Sequence, residues 1–171
     1  LMGRYIIGKV LGKGGFGITY LAYDSRADKT VAVKEFYPNG LAHRAGSDPT
    51  VTVSTSEDAS LFQNGAEKFY NEAKLVARFN GNPGIVSVYE FFYENDTVYF
   101  SMEYLHGKTL KKHIDENGAI TEAQAVSIAD SVSSALLAAH SANVMHRDIS
   151  PDNIMLCDDG TVKIIDFGAA R

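Results

Sequence analysis

The 171-residue sequence has little of what several classes of protein require. It contains a single cysteine, Cys157, which excludes an internal disulfide framework. No apolar run approaches the roughly 20 residues that cross a bilayer, and the first residues lack the apolar segment of a signal peptide. Basic runs are missing and the net charge is -5, which argues against a dedicated nucleic-acid-binding protein. These absences favour a cytoplasmic protein without a membrane segment.

The residues that usually bind metals through nitrogen or sulfur form no pattern. Cys157 closes the apolar run 154–157, where a small buried hydrophobic residue is expected rather than a nucleophile. Four histidines show no metal-ligand spacing with the cysteine or with carboxylates: His43, His106, His113 and His140. We interpret them as surface or packing residues.

What the sequence does contain is the composition of an ordinary globular domain. Hydrophobic residues make up 45% and charged residues 22%, which is enough for a substantial core. Strand patterns at 5–11, 17–23 and 30–36 predict a three-stranded antiparallel meander. The polar, turn-rich stretch 38–64 predicts a long connection, with a short strand at 51–53.

The pattern then becomes mainly helical. Phe69, Ala73 and Val76 share one face of a predicted helix over 66–79, which the following Asn-Gly-Asn-Pro-Gly ends. The further predicted elements are strands at 85–93 and 98–104 joined by a tight hairpin, helices at 110–116 and from Thr121, and short strands at 154–156 and 162–165. The helix from Thr121 carries an apolar stripe of Ile128, Val132, Ala135, Leu136 and Ala139. A strand-rich part therefore precedes a helical part.

A glycine-rich turn lies between the first two predicted strands. Its residues are Gly12, Lys13, Gly14, Gly15, Phe16 and Gly17. Glycine lets backbone N–H groups approach phosphate oxygens because no Cβ obstructs them. A dinucleotide-binding fingerprint would lead into a helix, whereas 18–22 is a good strand. The order favours a phosphate-covering loop between strands; a plain glycine-rich hairpin is the alternative.

Two further motifs place charge where it needs a partner. Lys34 follows Val-Ala-Val on an apolar strand, and a buried ammonium group needs an anion because its desolvation is costly. Residues 146–153, His-Arg-Asp-Ile-Ser-Pro-Asp-Asn, are followed by Asp-Phe-Gly at 166–168. An edge-strand lysine in solvent and a polar loop after a helix are the respective alternatives.

Taken in this order, the motifs resemble the signature set of protein kinases. The sequences at 14–22 and 34–38 are similar to those of bacterial serine/threonine kinases in particular. The resemblance implies an α+β, protein-kinase-like two-lobe fold. Residues 1–104 would form an N-lobe with an antiparallel sheet and helix C, and residues 105–171 a hinge and an incomplete helical C-lobe.

The resemblance also implies roles for individual residues in binding ATP and Mg²⁺, with Mn²⁺ as an alternative metal. Lys34 would bind the phosphates and pair with Glu72, with Glu67 as the second choice. Asp148 would accept or orient the proton of a serine or threonine hydroxyl on a protein substrate. Asn153 and Asp166 would hold the metal. Arg147 would suit a phosphorylated loop.

Residues around the adenine complete the implied nucleotide site. The full set is Leu11, Gly12, Lys13, Gly14, Gly15, Phe16, Gly17, Thr19, Ala32, Lys34, Met102, Glu103, Leu105 and Met155. Met102 would be the gatekeeper, and the backbone of Glu103 and Leu105 would meet the adenine edge. Leu11, Ala32 and Met155 would sandwich the ring, although such apolar residues are also typical of plain core.

Two features depart from the family pattern. Ser150 stands where many serine/threonine kinases have a lysine that neutralises the γ-phosphate, which puts rate and acceptor class in doubt. The chain ends at Arg171, three residues after Asp-Phe-Gly, so we expect a truncated kinase with little activity of its own. Exposure of the face of the helix from Thr121 would favour self-association. The alternatives are a pseudokinase-like ATP-binding scaffold and a small-molecule phosphotransferase.

Overall fold

The computed structural model describes residues 1–46 and 48–167, so Gly168 of the Asp-Phe-Gly motif lies outside the described residues. Within them the elements follow in the order β1 (Tyr5–Lys13), β2 (Gly17–Asp24), β3 (Lys29–Phe36), α1 (Ser56–Ala77), β4 (Val88–Glu94), β5 (Thr97–Glu103), β6 (Gly107–Thr109), α2 (Leu110–Asn117), α3 (Glu122–Ser141), a 3-10 turn (Pro151–Asn153), β7 (Ile154–Cys157) and β8 (Val162–Ile164). The α+β fold class is confirmed.

The chain divides into two compact units. The first comprises residues 1–75 and 88–104, and the second comprises residues 76–87 and those from 105 onward. Residues 76–87, which were predicted to belong to the N-lobe, therefore lie in the second unit. The reason is local pairing, because the Val86 amide donates to the Ile164 carbonyl and the Ile164 amide donates to the Gly84 carbonyl.

A five-stranded antiparallel sheet in the order β1-β2-β3-β5-β4 forms most of the first unit. The predicted meander of the first three strands is confirmed, as is the hairpin between β4 and β5. Asn95 and Asp96 form that turn with φ angles of 51° and 56°. Positive φ at both central residues suits a two-residue hairpin, because its backbone twist then matches that of the strands.

The two faces of this sheet have different cores. On the face that packs against α1, Phe36 contacts Phe62 and Phe69 at ring-centroid distances of 5.0 and 5.5 Å, and Phe69 lies 5.0 Å from Phe100. Close aromatic packing of this kind adds to the burial of apolar area. It fixes α1 against β3 and β5 in the first unit.

The opposite face carries a stack of rings with a charged group at one end. Phe92 lies 5.6 Å from Tyr5 and 5.5 Å from Tyr99 between ring centroids. Arg4 Nε donates to Asp24 Oδ1 at 2.7 Å and its Nη1 donates to Glu90 Oε2 at 2.6 Å. The hydrogen-bonded guanidinium lowers the pKa of Asp24 to about 2.

Helix α1 begins ten residues earlier than the sequence predicted, so the expected connection at 38–64 is partly wrong. The Thr55 hydroxyl caps the helix by accepting from the Asp58 amide at 3.1 Å. Gly65 lies inside the helix, and a Cβ at this position would come within 2.6 Å of the Phe36 ring. The close approach of the ring favours glycine at this helical position.

The second unit contains α2, α3 and a small sheet in the order β6-β7-β8. Strand β6 was not predicted, because it has only three residues and begins within the pattern break at 106–107. The predicted capping of α3 is confirmed: Thr121 and Gln124 form a reciprocal capping box.

The predicted stripe of α3 is partly buried. Val132, Ala135 and Ala139 are buried, whereas Val126 and Leu137 on the same helix are 63% and 67% exposed. Among the described residues, no helix is both long enough and apolar enough to cross a membrane.

Candidate functional site

Strand register places four of the predicted nucleotide-binding residues on one face of the sheet. Thr19 pairs with Lys34, and Ala32 pairs with Met102. Directly opposed residues on neighbouring strands share a face, and so do residues two apart on one strand. Lys34 also pairs with Phe100, which packs against α1, so this is the face toward α1.

Lys34 lies beside one carboxylate of α1. Its Nζ is 3.9 Å from Glu72 Oε1, and the two side chains are 18% and 14% exposed. The same Nζ lies 5.7 Å from the ring centroids of Phe69 and Phe100. Glu67, the second choice for this partner, is exposed and lines a different cavity beside residues 51–53. The Lys34 ammonium group is therefore largely shielded from water, with a carboxylate and two aromatic rings beside it.

Residues 12–16 of the glycine-rich loop are exposed and Gly17 is buried, so its glycines differ in their surroundings. A Cβ on Gly12 or Gly15 would meet nothing within 4 Å among the described atoms. A Cβ on Gly17 would come closer than 3.0 Å to the Glu35 carbonyl oxygen, so close strand approach demands glycine there. Phe16 at the tip is 77% exposed and Leu11 is 40% exposed.

The carbonyl groups of this loop are engaged by the residues that follow β3. The Tyr37 amide donates to the Phe16 carbonyl at 3.0 Å, and the Asn39 amide donates to the Gly15 carbonyl at 3.0 Å. The Asn39 side chain also donates, from Nδ2 to the Gly14 carbonyl at 3.4 Å. Within the loop, the Gly14 amide donates to the Gly17 carbonyl at 2.9 Å.

Glu35, the neighbour of Lys34, forms an ion pair on the other face of the sheet. Its side chain is 1% exposed and accepts from both terminal nitrogens of Arg44, with Nη1 to Oε2 at 3.1 Å. Tyr20 Oη also donates to Glu35 Oε2 at 2.9 Å. Burial acts to lower the pKa of Arg44, but its bonds to Glu35 raise that pKa overall. Tyr99, which contacts Arg44, has a raised pKa because burial disfavours its charged form.

In the second unit, the segment 146–153 folds back on itself around Asp148. Asn153 Nδ2 donates to the Asp148 carbonyl at 2.9 Å and to Asp148 Oδ2 at 3.1 Å. The Ile165 amide donates to the Asn153 carbonyl at 3.0 Å. Two of the predicted catalytic residues are thus in direct contact, and Asp166 follows a residue bonded to one of them.

His146 and Phe167 form the floor of this segment. Both are buried, with ring centroids 4.5 Å apart, and Phe79 stacks on Phe167 at 6.1 Å. His146 Nδ1 accepts from the Asp148 amide at 3.3 Å. Burial lowers the pKa of His146, although the Asp166 backbone opposes that shift. His146 is therefore a neutral packing residue at neutral pH.

The remaining adenine-site candidates are spread over both units. Met102 and Ala32 are buried, whereas Glu103, Leu105 and Met155 are half-buried. Thr19 is half-buried and Lys13 is exposed.

The donor chemistry near Asp148 fits a hard divalent cation. The described residues contain no group of three histidine, cysteine, aspartate or glutamate side chains that could hold a metal. Asn153 and Asp166 instead offer amide and carboxylate oxygens, the donors that Mg²⁺ prefers. Because Asn153 Nδ2 donates to Asp148, its Oδ1 is left as a possible metal donor.

The sequence interpretation missed the residues that hold the glycine-rich loop and Glu35, namely Tyr37, Asn39 and Arg44. One signal pointed to Arg44: a glutamate on an apolar strand needs a cation, just as Lys34 needs an anion. The stretch 38–64 has no periodicity that would say which of its side chains reaches the sheet.

Comparison with known proteins agrees with these motifs. The protein kinase domain family matches residues 5–171. A probable serine/threonine-protein kinase of Clostridium acetobutylicum is 37% identical over 100% of this chain and 23% of its own length. The serine/threonine-protein kinase PrkC of Bacillus subtilis is 34% identical over 99% of this chain and 23% of its own length.

Two further similarities are to a third relative and to a solved structure. The serine/threonine-protein kinase PknA of Mycobacterium tuberculosis is 32% identical over 100% of this chain and 36% of its own length. A solved structure described as the PpkA-294 apo form is 36% identical, with a TM-score of 0.91 over 96% of this chain and 58% of that one. The chain spans about a quarter of the length of the first two of these relatives. The chain belongs to the protein kinase family.

Proposed function

We propose that this chain binds Mg²⁺-ATP and that the full natural chain transfers the γ-phosphoryl group to serine or threonine hydroxyls of proteins. The observation that carries the proposal is the Lys34–Glu72 pair, 3.9 Å apart and largely shielded from water. A partly accessible lysine ammonium group can bind phosphate oxygens through its N–H donors. The serine/threonine kinase names of the relatives support the acceptor class.

Asp148 is the proposed base or orienting group for the acceptor hydroxyl. Asn153 Nδ2 donates to Asp148 Oδ2 and to its backbone carbonyl, which fixes the carboxylate and leaves Oδ1 to accept from a hydroxyl. A positioned carboxylate of this kind lets the acceptor oxygen lose its proton as the new P–O bond forms.

Asn153 and Asp166 are the proposed metal-binding residues. A bound Mg²⁺ would neutralise charge on the phosphates. The Ile165 amide bonded to the Asn153 carbonyl ties the two ligand positions to each other through the backbone. Manganese has similar ligand preferences and is the proposed substitute.

A thermal-shift titration with Mg²⁺-ATP tests nucleotide binding. Ligand that binds only the folded state raises the melting temperature by mass action. We expect a Mg²⁺-dependent rise in the wild type that is lost in Lys34→Ala and Asp166→Ala. The exposed residues Lys68 and Asp158 provide matched controls, Lys68→Ala and Asp158→Ala, that keep the shift. A well-folded wild type without any shift would contradict the proposal.

Phosphotransfer is tested separately, in the full natural chain, with Asp148→Asn. Incorporation of labelled γ-phosphate into protein serine or threonine should fall by about 10²- to 10⁴-fold, the usual contribution of a positioned acid–base group. Asp130→Asn, a change at an exposed position on α3, serves as the control. Transfer to small-molecule hydroxyls alone would contradict the proposed acceptor class.

Ser150 supports a second candidate, an ATP-binding scaffold without phosphotransfer. The position carries no cation, so charge on the transferring phosphoryl group has one stabilising group fewer. If nucleotide binds to the wild type but the full natural chain incorporates no phosphate, this second function replaces the first. Ser150→Lys would then be the variant with which to seek a gain of transfer.

The setting and the self-association of the protein remain proposals. The cytoplasmic setting rests on the single cysteine of the sequence. Self-association would use the exposed apolar residues of α3, Val126 and Leu137. Sedimentation of wild type beside Val126→Ser/Leu137→Ser tests it, with a lower apparent mass expected for the variant.

A further inference from the structure

We propose that residues 37–44, which follow β3, act as a brace that holds the glycine-rich loop ready for nucleotide. Asn39 is the positioning residue of this brace and Arg44 is its anchor. The inference rests on the proposed nucleotide binding and concerns how the loop is prepared for it.

The brace contacts the loop through three consecutive carbonyl groups. Gly14, Gly15 and Phe16 accept hydrogen bonds from the Asn39 side chain, the Asn39 amide and the Tyr37 amide, at 3.4, 3.0 and 3.0 Å. Two of these three bonds come from one residue, Asn39. Its side-chain bond is the one that substitution can remove without disturbing the backbone.

The anchor of the brace is built into the sheet. Arg44 donates hydrogen bonds to Glu35 from both terminal nitrogens, and its Nε donates to the Pro49 carbonyl at 2.8 Å. Its guanidinium group lies 5.1 Å from the Tyr37 ring centroid. Because Glu35 is 1% exposed, the arginine cannot leave without stranding a buried carboxylate. Arg44 thus fixes one end of the brace, and the carbonyl contacts fix the other end.

The consequence for nucleotide binding follows from charge and entropy. Carbonyl oxygens repel phosphate oxygens, and these three are directed at residues 37–39 by their hydrogen bonds. A loop with glycines at 12, 14, 15 and 17 otherwise loses much conformational freedom when a ligand orders it. A loop that is already ordered binds more tightly, because less of the binding energy is spent on ordering it.

The test compares Asn39→Ala with Asn64→Ala, a change at an exposed asparagine of α1, in the full natural chain. Calorimetric titration with Mg²⁺-ATP should give a Kd about two- to tenfold higher for Asn39→Ala, the effect of one modest hydrogen bond. Asn64→Ala should match the wild type. At saturating ATP, kcat should be unchanged in Asn39→Ala, and only the KM for ATP should rise.

A second readout concerns the loop without nucleotide. Amide hydrogen exchange at residues 14–17 should be faster in Asn39→Ala than in the wild type, while exchange in β5 should be the same. Equal Kd and equal exchange in the two proteins would overturn the brace. An equal fall in kcat and in kcat/KM, with lower thermal stability, would also overturn it by showing a merely structural role.

Failure of the underlying function looks different. If the wild type binds no Mg²⁺-ATP, the proposed function and this inference both fall. If the wild type binds it, and Lys34→Ala does not, nucleotide binding stands and Asn39→Ala alone decides the brace.

Discussion

Lys34 and Glu35 are neighbours on β3, and they form ion pairs of very different kinds on the two faces of the sheet. Lys34 is 3.9 Å from Glu72, and both side chains keep some access to water. Glu35 is almost fully buried, accepts two bonds from Arg44 and a third from Tyr20. The Lys34 side chain is thus partly accessible, whereas the Glu35 carboxylate is enclosed by the protein.

From this difference we expect two neighbouring residues of β3 to have different roles, Lys34 in ligand binding and Glu35 in stability. A charged side chain that binds a ligand must be accessible to it, and the Lys34 side chain is 18% exposed. A buried charge that meets no ligand must be fully satisfied, because an unpaired ion in the interior is costly. We therefore expect loss of the Lys34 side chain to act mainly on nucleotide binding, and loss of the Glu35–Arg44 pair to act mainly on folding.

The largest expected effect is on stability, from Arg44→Ala. Removing the cation leaves the Glu35 carboxylate buried without its charged partner, which should lower the free energy of unfolding by about 3 kcal/mol. Urea unfolding of the wild type and the variant measures this. The double variant Glu35→Met/Arg44→Met removes both charges and should recover most of the loss. A loss as large in the double variant would show that the charges are not the cause.

Lys34→Ala should act mainly on activity. In the full natural chain, phosphotransfer should fall by about 10²- to 10³-fold, because one preorganised positive charge at the phosphates is lost. The free energy of unfolding should change less than in Arg44→Ala, since the Lys34–Glu72 pair is longer and more exposed. Steady-state kinetics beside urea unfolding measures both. The reverse ranking of the two variants would remove the distinction between the faces.

Gly17→Ala sharpens the comparison at the edge of the glycine-rich loop. Its new Cβ would collide with the Glu35 backbone carbonyl, so the strands must shift at a cost of about 1–3 kcal/mol. Gly12→Ala adds a methyl group that meets nothing within 4 Å among the described atoms and should cost less. Thermal unfolding of the two variants decides this, and equal melting temperatures would count against close strand approach at Gly17.

His146 gives the smallest expected effect, and it depends on pH. Burial lowers the pKa of His146 in the folded protein below its ordinary value of 6.5. Below pH 6.5 the unfolded chain therefore binds a proton that the folded chain does not, and stability falls as the pH falls. His146→Asn should lose less stability than the wild type between pH 7.5 and 5.5. His140→Asn, at an exposed position, should follow the wild type.

Much of the first unit was predictable from the sequence. The glycines marked the turn between β1 and β2, and the strand at 30–36 was predicted from its apolar, β-branched residues. The start of α1 was missed because residues 56–64 are mostly exposed and polar, so they form no apolar stripe. Without such a stripe, hydrophobic periodicity does not indicate a helix.

The site was predictable in its motifs but not in its supports. Glu72 was chosen over Glu67 by resemblance, and the structure brings Glu72 to Lys34. The contacts of Asn39 and Arg44 with the loop and with Glu35 depend on the path of an irregular segment. An irregular segment has no period from which its path could be predicted.

The measurement that tests the account most directly is the stabilisation by saturating Mg²⁺-ATP in urea unfolding of three proteins: wild type, Lys34→Ala and Arg44→Ala. The account predicts that nucleotide raises the unfolding midpoint of the wild type and of the folded fraction of Arg44→Ala. The unfolding midpoint of Lys34→Ala should not change when nucleotide is added. Full stabilisation of Lys34→Ala by nucleotide would contradict the assignment of binding to that face of β3.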